Sequence, residues 1–265
     1  MERTLMHSSG IFFDSADLTE FKKWFHTHIL GGATTNPVIL QKEGIFDIPT
    51  HVAKMIDICG KNFPISIEIP DTDMTVKEML ELGKRYYARF PDNAVVKVPM
   101  HPSSPEKAFE VIYKLGQEGI RVNATLGLSV GQLIGAAEAL RNSKAKGDNY
   151  ISLFWARRDE AQVQIIDNMV EKGTERQIAQ SRVPDAKASL QMTKTYLENH
   201  GLSAKIIVGS VRSIDQIDTA FSSGADIVTI PPKLIREWMY TKRGIESVDQ
   251  FNEAYRSIKD KTTLI

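Results

Sequence analysis

Short apolar segments alternate with longer segments of helical period along almost the whole chain. Most of the short segments are continuous runs rich in valine, isoleucine and phenylalanine. Such runs are typical of parallel strands that are covered on both faces. The pattern predicts eight strands, at residues 10–14, 32–35, 65–69, 94–98, 121–126, 150–155, 204–209 and 226–230.

Between these strands the apolar residues recur with the spacing of an amphipathic helix. One helix is predicted after each strand, at 18–28, 49–60, 75–88, 105–117, 129–141, 160–172, 213–222 and 232–240, with additional helices before strand seven at 184–199 and at the C-terminus at 248–258. Eight such units without a linker favour a single (β/α)8 barrel domain over residues 1–265. A doubly wound open sheet is the alternative, but no G-x-G-x-x-G follows the first strand.

One charged residue interrupts the apolar run of the fourth strand, A-V-V-K-V-P at 94–99. This residue is Lys97. Burying its charged amine in apolar surroundings costs roughly several kcal/mol of folding free energy unless the amine is paired or loses its proton. Desolvation favours the neutral amine, and a neutral amine attacks carbonyl carbons to form a Schiff base. A nucleophile is therefore one hypothesis. The other is a lysine that pairs with a carboxylate or extends to solvent at the strand end.

The carboxyl ends of the predicted strands carry many polar side chains. In a (β/α)8 barrel these ends meet on the face where active sites form. The residues there are Asp14, Thr34, Thr35, Asn36, Glu68, Lys97, Asn123, Thr125, Phe154, Arg157, Ser210 and Arg212. Any one polar residue at a strand end is ordinary, but two carboxylates and two arginines around one amine indicate an active site.

Composition excludes several classes of protein. The 33 basic residues balance 33 acidic residues, which argues against a partner that is nucleic acid or a membrane surface. The single cysteine, Cys59, excludes an internal disulfide and a cysteine-rich metal site, and its apolar-periodic surroundings favour a buried thiol over a nucleophile. The histidines are scattered and form no metal-binding motif. We therefore expect no metal, and we also expect no organic cofactor. Residues 1–9 are polar and no apolar h-region follows them, and the longest apolar runs are far shorter than about 18–20 residues, so we expect no signal peptide, no membrane span and a cytoplasmic location.

The strand-end motifs resemble those of the transaldolase family, which also contains the small fructose-6-phosphate aldolases. The resemblance extends from residue 11 to about 255, and its motifs are F-F-D-S-A-D at 12–17, A-T-T-N-P at 33–37, V-V-K-V-P at 95–99, V-N-A-T-L at 122–126 and G-S-V-R at 209–212. It implies that Lys97 is a Schiff-base lysine. A ketose donor condenses with the amine, the C3–C4 bond breaks, and the enamine passes a dihydroxyacetone unit to an aldehyde acceptor.

The resemblance implies roles for the two carboxylates. Asp14 matches the acid/base that takes the C4 hydroxyl proton and returns it during addition. The alternative is an N-cap for the next helix, although Ser15 and Asp17 are closer to that position. Glu68 and Thr125 match the pair that holds a catalytic water. A salt bridge from Glu68 to the lysine is an alternative that is compatible with this role.

Substrate-binding residues are implied in the same way. Thr35 and Asn36 in the T-T-N-P turn, together with Asn123, match residues around the substrate hydroxyls and the lysine, although Asn36 is alternatively a turn former.

Arg157, Ser210 and Arg212 match a terminal-anion site, where guanidinium groups and a helix start bind a phosphate or another oxyanion such as a sulfonate. Arg158 either shares this task or is a solvated neighbour.

Two positions distinguish the subfamilies. The small aldolases carry glutamine where this chain has Glu68 and tyrosine where it has Phe154, and transaldolases carry glutamate and phenylalanine. A phenol there helps to release dihydroxyacetone, whereas a phenyl ring protects the enamine until an acceptor arrives. We therefore predict transfer between ketose and aldose substrates that carry a terminal anion. An aldolase that releases dihydroxyacetone is the alternative, and a non-catalytic sugar-phosphate sensor is disfavoured because Asp14, Glu68 and Lys97 are all present.

The segment F-N-E-A-Y at 251–255 resembles the terminal helix of the small aldolases, which packs on a neighbouring subunit. It predicts a homo-oligomer. Chain length is also nearer to that of the small aldolases, although the stretch 174–185 is longer than theirs.

Overall fold

The protein is a closed barrel of eight parallel strands in chain order, with the last strand paired to the first. The computed structural model describes residues 10–101 and 103–259, so residues 1–9, where we predict no signal peptide, lie outside it. The strands are β1 (Ile11–Asp14), β2 (Gly32–Thr34), β3 (Ile65–Glu68), β4 (Ala94–Pro99), β5 (Val122–Gly127), β6 (Tyr150–Phe154), β7 (Lys205–Gly209) and β8 (Ile227–Ile230). The (β/α)8 prediction is confirmed, and the open-sheet alternative is wrong.

Helices surround the barrel. Over the described residues they are α1 (Leu18–Phe25), α2 (Pro37–Lys42), α3 (Ile48–Cys59), α4 (Val76–Arg89), α5 (Pro105–Gln117), α6 (Val130–Ala139), α7 (Trp155–Glu171), α8 (Arg176–Arg182), α9 (Ala186–Asn199), α10 (Ile214–Ser222), α11 (Pro232–Met239) and α12 (Lys242–Ile258). Every predicted helix is present, and α2 and α8 were not predicted. None of the helices in this part of the chain combines the length and apolarity needed to cross a membrane.

The differences from the predicted boundaries have local causes. Helix α7 begins at Trp155 rather than at 160, because Phe154 passes directly from strand to helix without a side-chain cap. No polar start signal therefore marks its beginning. Helix α12 begins at Lys242 rather than at 248, where Thr241 Oγ1 accepts a hydrogen bond from the Gly244 amide at 2.9 Å. Helix α2 follows directly on the predicted T-T-N-P turn, in a segment for which we predicted no helix, and Asn36 is its N-cap.

An apolar layer closes the amino end of the barrel interior. Phe12, Val95, Tyr150, Ile207 and Ile227 form a buried cluster there, separate from the larger core between strands and helices. Gly32 is needed beside it, because a Cβ at this position would lie 2.4 Å from the Phe12 ring. This layer is the floor beneath the carboxyl-end face of the barrel.

Two features lie outside the barrel core. Cys59 ends α3 and is partly buried, and burial raises the pKa of its thiol to about 12, so the thiol stays protonated and unreactive. Helix α12 has no buried residue, although it carries several large apolar side chains.

Candidate active site

A cavity of about 400 Å³ opens at the carboxyl ends of the strands. It is lined by nine of the twelve residues predicted at the strand ends, namely Asp14, Thr34, Asn36, Glu68, Lys97, Phe154, Arg157, Ser210 and Arg212. Three others, Thr35, Asn123 and Thr125, are buried and do not line it. The fold thus brings together the side chains that the sequence distributes over seven strand ends.

Lys97 lies in the middle of the barrel wall. Strand β4 pairs with β3 and β5, in a register that places Glu68 and Asn123 on either side of Lys97. Because side chains alternate along a strand, Lys97 shares the inward face with Val95 of the floor, two residues before it. The lysine is only 3% exposed. Strand pairing therefore positions a buried amine directly above the apolar floor.

The Lys97 amine has three close neighbours. Its Nζ lies 2.8 Å from Glu68 Oε2 and donates a hydrogen bond to the Thr35 carbonyl at 3.0 Å. The Phe154 ring centroid is 5.8 Å from it. The salt bridge expected as one alternative for Glu68 is therefore present, and apart from this contact Glu68 Oε2 has no hydrogen-bond partner among the described residues. A buried charge pair of this kind leaves hydrogen-bonding capacity unused.

Asp14 faces the same cavity from β1. Its Oδ1 accepts a hydrogen bond from Thr34 Oγ1 at 2.8 Å. The N-cap of α1 is Asp17, which accepts from two backbone amides, so the N-cap alternative for Asp14 is wrong. Burial raises the pKa of Asp14, while the Lys97 charge and the Thr34 hydrogen bond oppose that rise and the Glu68 charge adds to it. A raised pKa favours a carboxyl group that both accepts and returns a proton.

Thr125 lies where the ladder between β5 and β6 is irregular. The register shifts between Ala124 and Gly127, and Leu126 has a positive φ of 63°. Bulges of this kind redirect side chains and are common next to active sites. Thr125 is fully buried, and its Oγ1 has no hydrogen-bond partner among the described residues. Buried polar atoms of this type are rare in folded proteins and call for an explanation.

The two asparagines are each engaged with the protein. Asn36 Oδ1 accepts from the Ile39 amide at 2.9 Å and caps α2, so the local structural role is real, although the residue also lines the cavity. Asn123 donates to Ser66 Oγ at 3.1 Å and accepts from Ser152 Oγ at 2.6 Å. These contacts fix the wall on the β3, β5 and β6 side.

The two arginines stand at the exposed rim. Arg157, near the start of α7, has its guanidinium carbon 5.7 Å from the Phe154 ring centroid. Arg212 Nη1 lies 2.5 Å from Glu160 Oε1. Between them, Ser210 has a positive φ of 57°, and its carbonyl accepts from the Ala156 amide at 3.2 Å, which joins the loop after β7 to α7. The rim therefore presents two guanidinium groups, one of them already paired.

Arg158 lies elsewhere. It is 3% exposed, its Nε donates to Ser189 Oγ at 3.0 Å, and its Nη2 donates to the Pro184 carbonyl. It therefore braces α7 against α9, and both predicted alternatives, a share in anion binding and a solvated position, are wrong.

Sequence reasoning left two cavity-lining hydroxyls out of the site. Ser152 and Thr229 line the cavity, as does Thr34, which was among the residues predicted at the strand ends. Ser152 follows Tyr150 of the floor by two residues, and Thr229 follows Ile227 of the floor by two. The alternation of inward and outward side chains along each strand is the signal that would have found them.

Comparison with known proteins assigns the chain to a family. Residues 11–263 match the family profile described as Transaldolase/Fructose-6-phosphate aldolase. The chain is 31% identical over 249 residues to "Probable transaldolase 2" of Listeria monocytogenes, covering 92% of this chain and 96% of that protein. It is 28% identical over 256 residues to "Probable transaldolase" of Thermoplasma volcanium, covering 94% and 96%.

A solved structure, titled "putative phosphonomutase", from Burkholderia cenocepacia J2315 superposes with a TM-score of 0.51 at 10% identity, covering 92% of this chain and 94% of that one. This likeness concerns the barrel fold alone.

Proposed function

Because the chain belongs to the transaldolase/fructose-6-phosphate aldolase family, we propose that it transfers a dihydroxyacetone unit from an anionic ketose to an aldehyde through a Schiff base on Lys97. The observation that carries this proposal is the buried Lys97 amine, paired with Glu68, in the same cavity as Asp14. A lysine kept only for stability would not be placed in a desolvated site that opens to a ligand-sized cavity.

Catalysis begins when Glu68 takes a proton from the Lys97 ammonium group and the neutral amine attacks the C2 carbonyl of the ketose. Glu68 returns the proton to the carbinolamine hydroxyl, which leaves as water. Asp14 then takes the proton of the C4 hydroxyl. The C3–C4 bond breaks, its electron pair moves through C2 to the iminium nitrogen, and the first aldehyde leaves. The enamine that remains attacks the carbonyl carbon of the acceptor, and Asp14 returns the proton to the new hydroxyl. Hydrolysis of the imine releases the product ketose and the amine.

Glu68 and Thr125 supply the oxygen atoms that hold a water during carbinolamine and imine formation. Support comes from their position on β3 and β5, the neighbours of the lysine strand. Glu68 Oε2 and Thr125 Oγ1 are both buried. Apart from the ion-pair contact of Glu68 Oε2 with Lys97 Nζ, neither atom has a hydrogen-bond partner among the described residues. A water between polar groups of this kind makes the bonds that the protein leaves unmade.

Phe154 favours transfer over release. Its ring lies 5.8 Å from the Lys97 amine and offers no acidic proton there. The enamine therefore persists until an acceptor aldehyde arrives. An aldolase that releases dihydroxyacetone is the second candidate, and the family description itself includes it.

The far end of the donor carries the anion. Arg157, Ser210 and Arg212 line the cavity rim, where hydrogen bonds to a phosphate or a sulfonate are available. The loop after β7 leads into α10, whose amino end also favours an anion.

The active form is a homo-oligomer in which a second copy covers α12. One face of this helix carries Ile245, Val248, Phe251 and Tyr255, and their exposed fractions are 50%, 56%, 74% and 43%. Their spacing gives one apolar stripe, and such stripes mark interfaces. Light scattering after gel filtration should give several subunits for the unaltered protein, and Phe251→Asp should shift it towards the monomer. A monomeric unaltered protein would contradict this proposal.

Trapping tests the central proposal. A ketose phosphate or ketose sulfonate is incubated with the protein and borohydride, and the intact mass and the modified peptide are measured. We expect one reduced adduct, on the peptide that contains Lys97. An adduct on another lysine overturns the proposed mechanism.

The balance between transfer and release is measured on the same donors with and without an acceptor aldehyde. Turnover of the unaltered protein should depend on the acceptor. Phe154→Tyr should increase free dihydroxyacetone relative to transfer, because a phenol can deliver a proton to the enamine. An equal loss of both activities would show that the substitution only disturbs packing.

A further inference from the structure

Three side chains from adjacent strands form a hydrogen-bonded chain on one wall of the cavity. Thr34 Oγ1 on β2 is 2.8 Å from Asp14 Oδ1 on β1 and 2.5 Å from Thr229 Oγ1 on β8. All three line the cavity. The two threonines are only 2% and 5% exposed, so bulk water competes little for these bonds. This hydrogen-bonded chain ends on the carboxyl group of Asp14, which transfers the proton in the proposed function.

The hydrogen bonds that join Thr229, Thr34 and Asp14 have only one possible donor-to-acceptor direction when Asp14 is ionised. A hydroxyl has one proton to donate, and an ionised carboxylate only accepts. The single proton of Thr34 therefore points to Asp14. The short contact to Thr229 is then possible only if Thr229 donates its own proton to Thr34.

The Thr229 side chain is also restricted. A Cβ at position 209 would lie 3.2 Å from Thr229 Cγ2, so the glycine there leaves room for the threonine methyl and little more. A β-branched side chain has few χ1 positions. With its methyl group against Gly209, the Thr229 hydroxyl is held on the Thr34 side.

We propose that Thr229 is a positioning residue for Asp14, which it orients through the hydroxyl of Thr34. The inference rests on the proposed role of Asp14 in C–C bond cleavage. Thr229 does not touch the reacting atoms. It fixes Thr34 so that Oδ1 of Asp14 stays occupied and Oδ2 is left for the C4 hydroxyl of the donor. Hydrogen bonds in such a chain also polarise one another, which strengthens the bond to the carboxylate.

The inference predicts a shift in pH dependence. Asp14 must be ionised to take the C4 proton, so activity rises with pH through its pKa. The Thr34 hydrogen bond lowers that pKa against the effect of burial. Weakening this chain of hydrogen bonds therefore raises the pKa of Asp14, and the acidic limb of the activity–pH profile moves to higher pH.

The experiment compares Thr229→Val, which removes the hydroxyl with little change in shape, with Thr229→Ser, which keeps a donor. Thr229→Val should lower kcat about two- to tenfold at neutral pH and move the acidic limb of the kcat profile upward, with a smaller change in KM. Thr229→Ser should recover most of the rate and the original limb. Thr229→Ala serves the same purpose if the valine variant does not fold.

A matched control is Thr193→Val, which removes another buried hydroxyl, on α9, where Thr193 Oγ1 donates to the Ser189 carbonyl. It should leave the pH profile unchanged. A Thr229→Val profile that coincides with that of the Thr193 control overturns the inference.

Borohydride trapping separates this inference from the proposed function. Imine formation at Lys97 does not use Asp14, so Thr229→Val should trap as much donor as the unaltered protein, with more of it as the uncleaved ketose adduct. Failure of the unaltered protein to form any Lys97 adduct would refute the proposed function. Normal trapping with an equal ratio of cleaved to uncleaved adduct in Thr229→Val would refute only the role of Thr229.

Discussion

The two ends of the cavity each contain an ion pair, and the two pairs differ in their exposure to solvent. At the base, Lys97 and Glu68 lie 2.8 Å apart, with side chains 4% and 11% exposed. At the rim, Arg212 and Glu160 lie 2.5 Å apart, with side chains 58% and 53% exposed. Distance alone would make them equivalent. Solvent makes the rim pair weak and exchangeable, whereas the buried pair carries a large desolvation cost.

The proposed function gives the two pairs different tasks. The buried pair is held by paired strands, which fixes its atoms for the proposed bond making and bond breaking. The rim pair is held by the loop after β7 and by α7, and we propose that Arg212 releases Glu160 when an oxyanion of the ligand arrives. We infer that the base sets the chemistry and the rim sets which head group is accepted.

The largest effect should follow substitution at the base. Lys97→Met keeps an unbranched side chain that is only one atom shorter and removes the amine, so we expect loss of all turnover and of the borohydride adduct. Its melting temperature and circular dichroism show whether the barrel is intact. Substantial activity in a folded Lys97→Met protein would contradict the division between base and rim, because the chemistry would then lie elsewhere.

Asp14→Asn should have the next largest effect. The amide oxygen still accepts from Thr34, but the group cannot take a proton, so the rate should fall about a hundredfold to ten-thousandfold. Trapping of the donor should continue, since the Schiff base forms before cleavage. In the unaltered protein, the acidic limb of the kcat profile should lie above the usual pKa of an aspartate, because burial raises the pKa of Asp14. A limb at or below the usual value would contradict this assignment.

The base was more predictable from sequence than the rim. The buried lysine is visible as one charge in a continuous apolar strand, and the Glu68 partner follows from the neighbouring strand. The pairing of Arg212 with Glu160 joins residues 52 positions apart on exposed elements, and no periodic pattern in the sequence indicates it. The contact between Thr34 and Thr229 spans 195 positions and exists only because the barrel closes.

Predictions from local sequence signals were wrong where tertiary structure, and not a local signal, determines the conformation. Helix α7 starts without a capping side chain, and its early start turns Arg158 into the interior. Residue type and position in the chain give no reason to separate Arg157 from Arg158, because both are basic and adjacent, and only the family resemblance assigned the anion site to Arg157. Their positions on the helix give them different surroundings, because consecutive helical residues point in directions about 100° apart.

At the rim, Arg212→Ala should lower kcat/KM for anionic donors about tenfold to a hundredfold, mostly through KM. A neutral donor without the terminal anion should be affected little. Steady-state kinetics on matched neutral, phosphate and sulfonate ketoses measures this. Equal losses on neutral and anionic donors would make Arg212 a structural residue and would remove the recognition role of the rim.

The smallest effect, and the sharpest comparison, concerns the partner of that arginine. Glu160→Gln removes the carboxylate that competes with the ligand for Arg212, so KM for anionic donors should fall about two- to fivefold. The gain should be greater for a dianionic phosphate than for a monoanionic sulfonate, because the second charge is repelled by Glu160. It should also shrink at high salt, which screens exposed charges.

Asp167→Asn is the matched control, since Asp167 is another half-exposed carboxylate on α7, paired with Arg176 at 2.8 Å. It should change none of these values. A higher KM in Glu160→Gln would mean that the rim pair holds Arg212 in its binding position, and the rim would then be as fixed as the base.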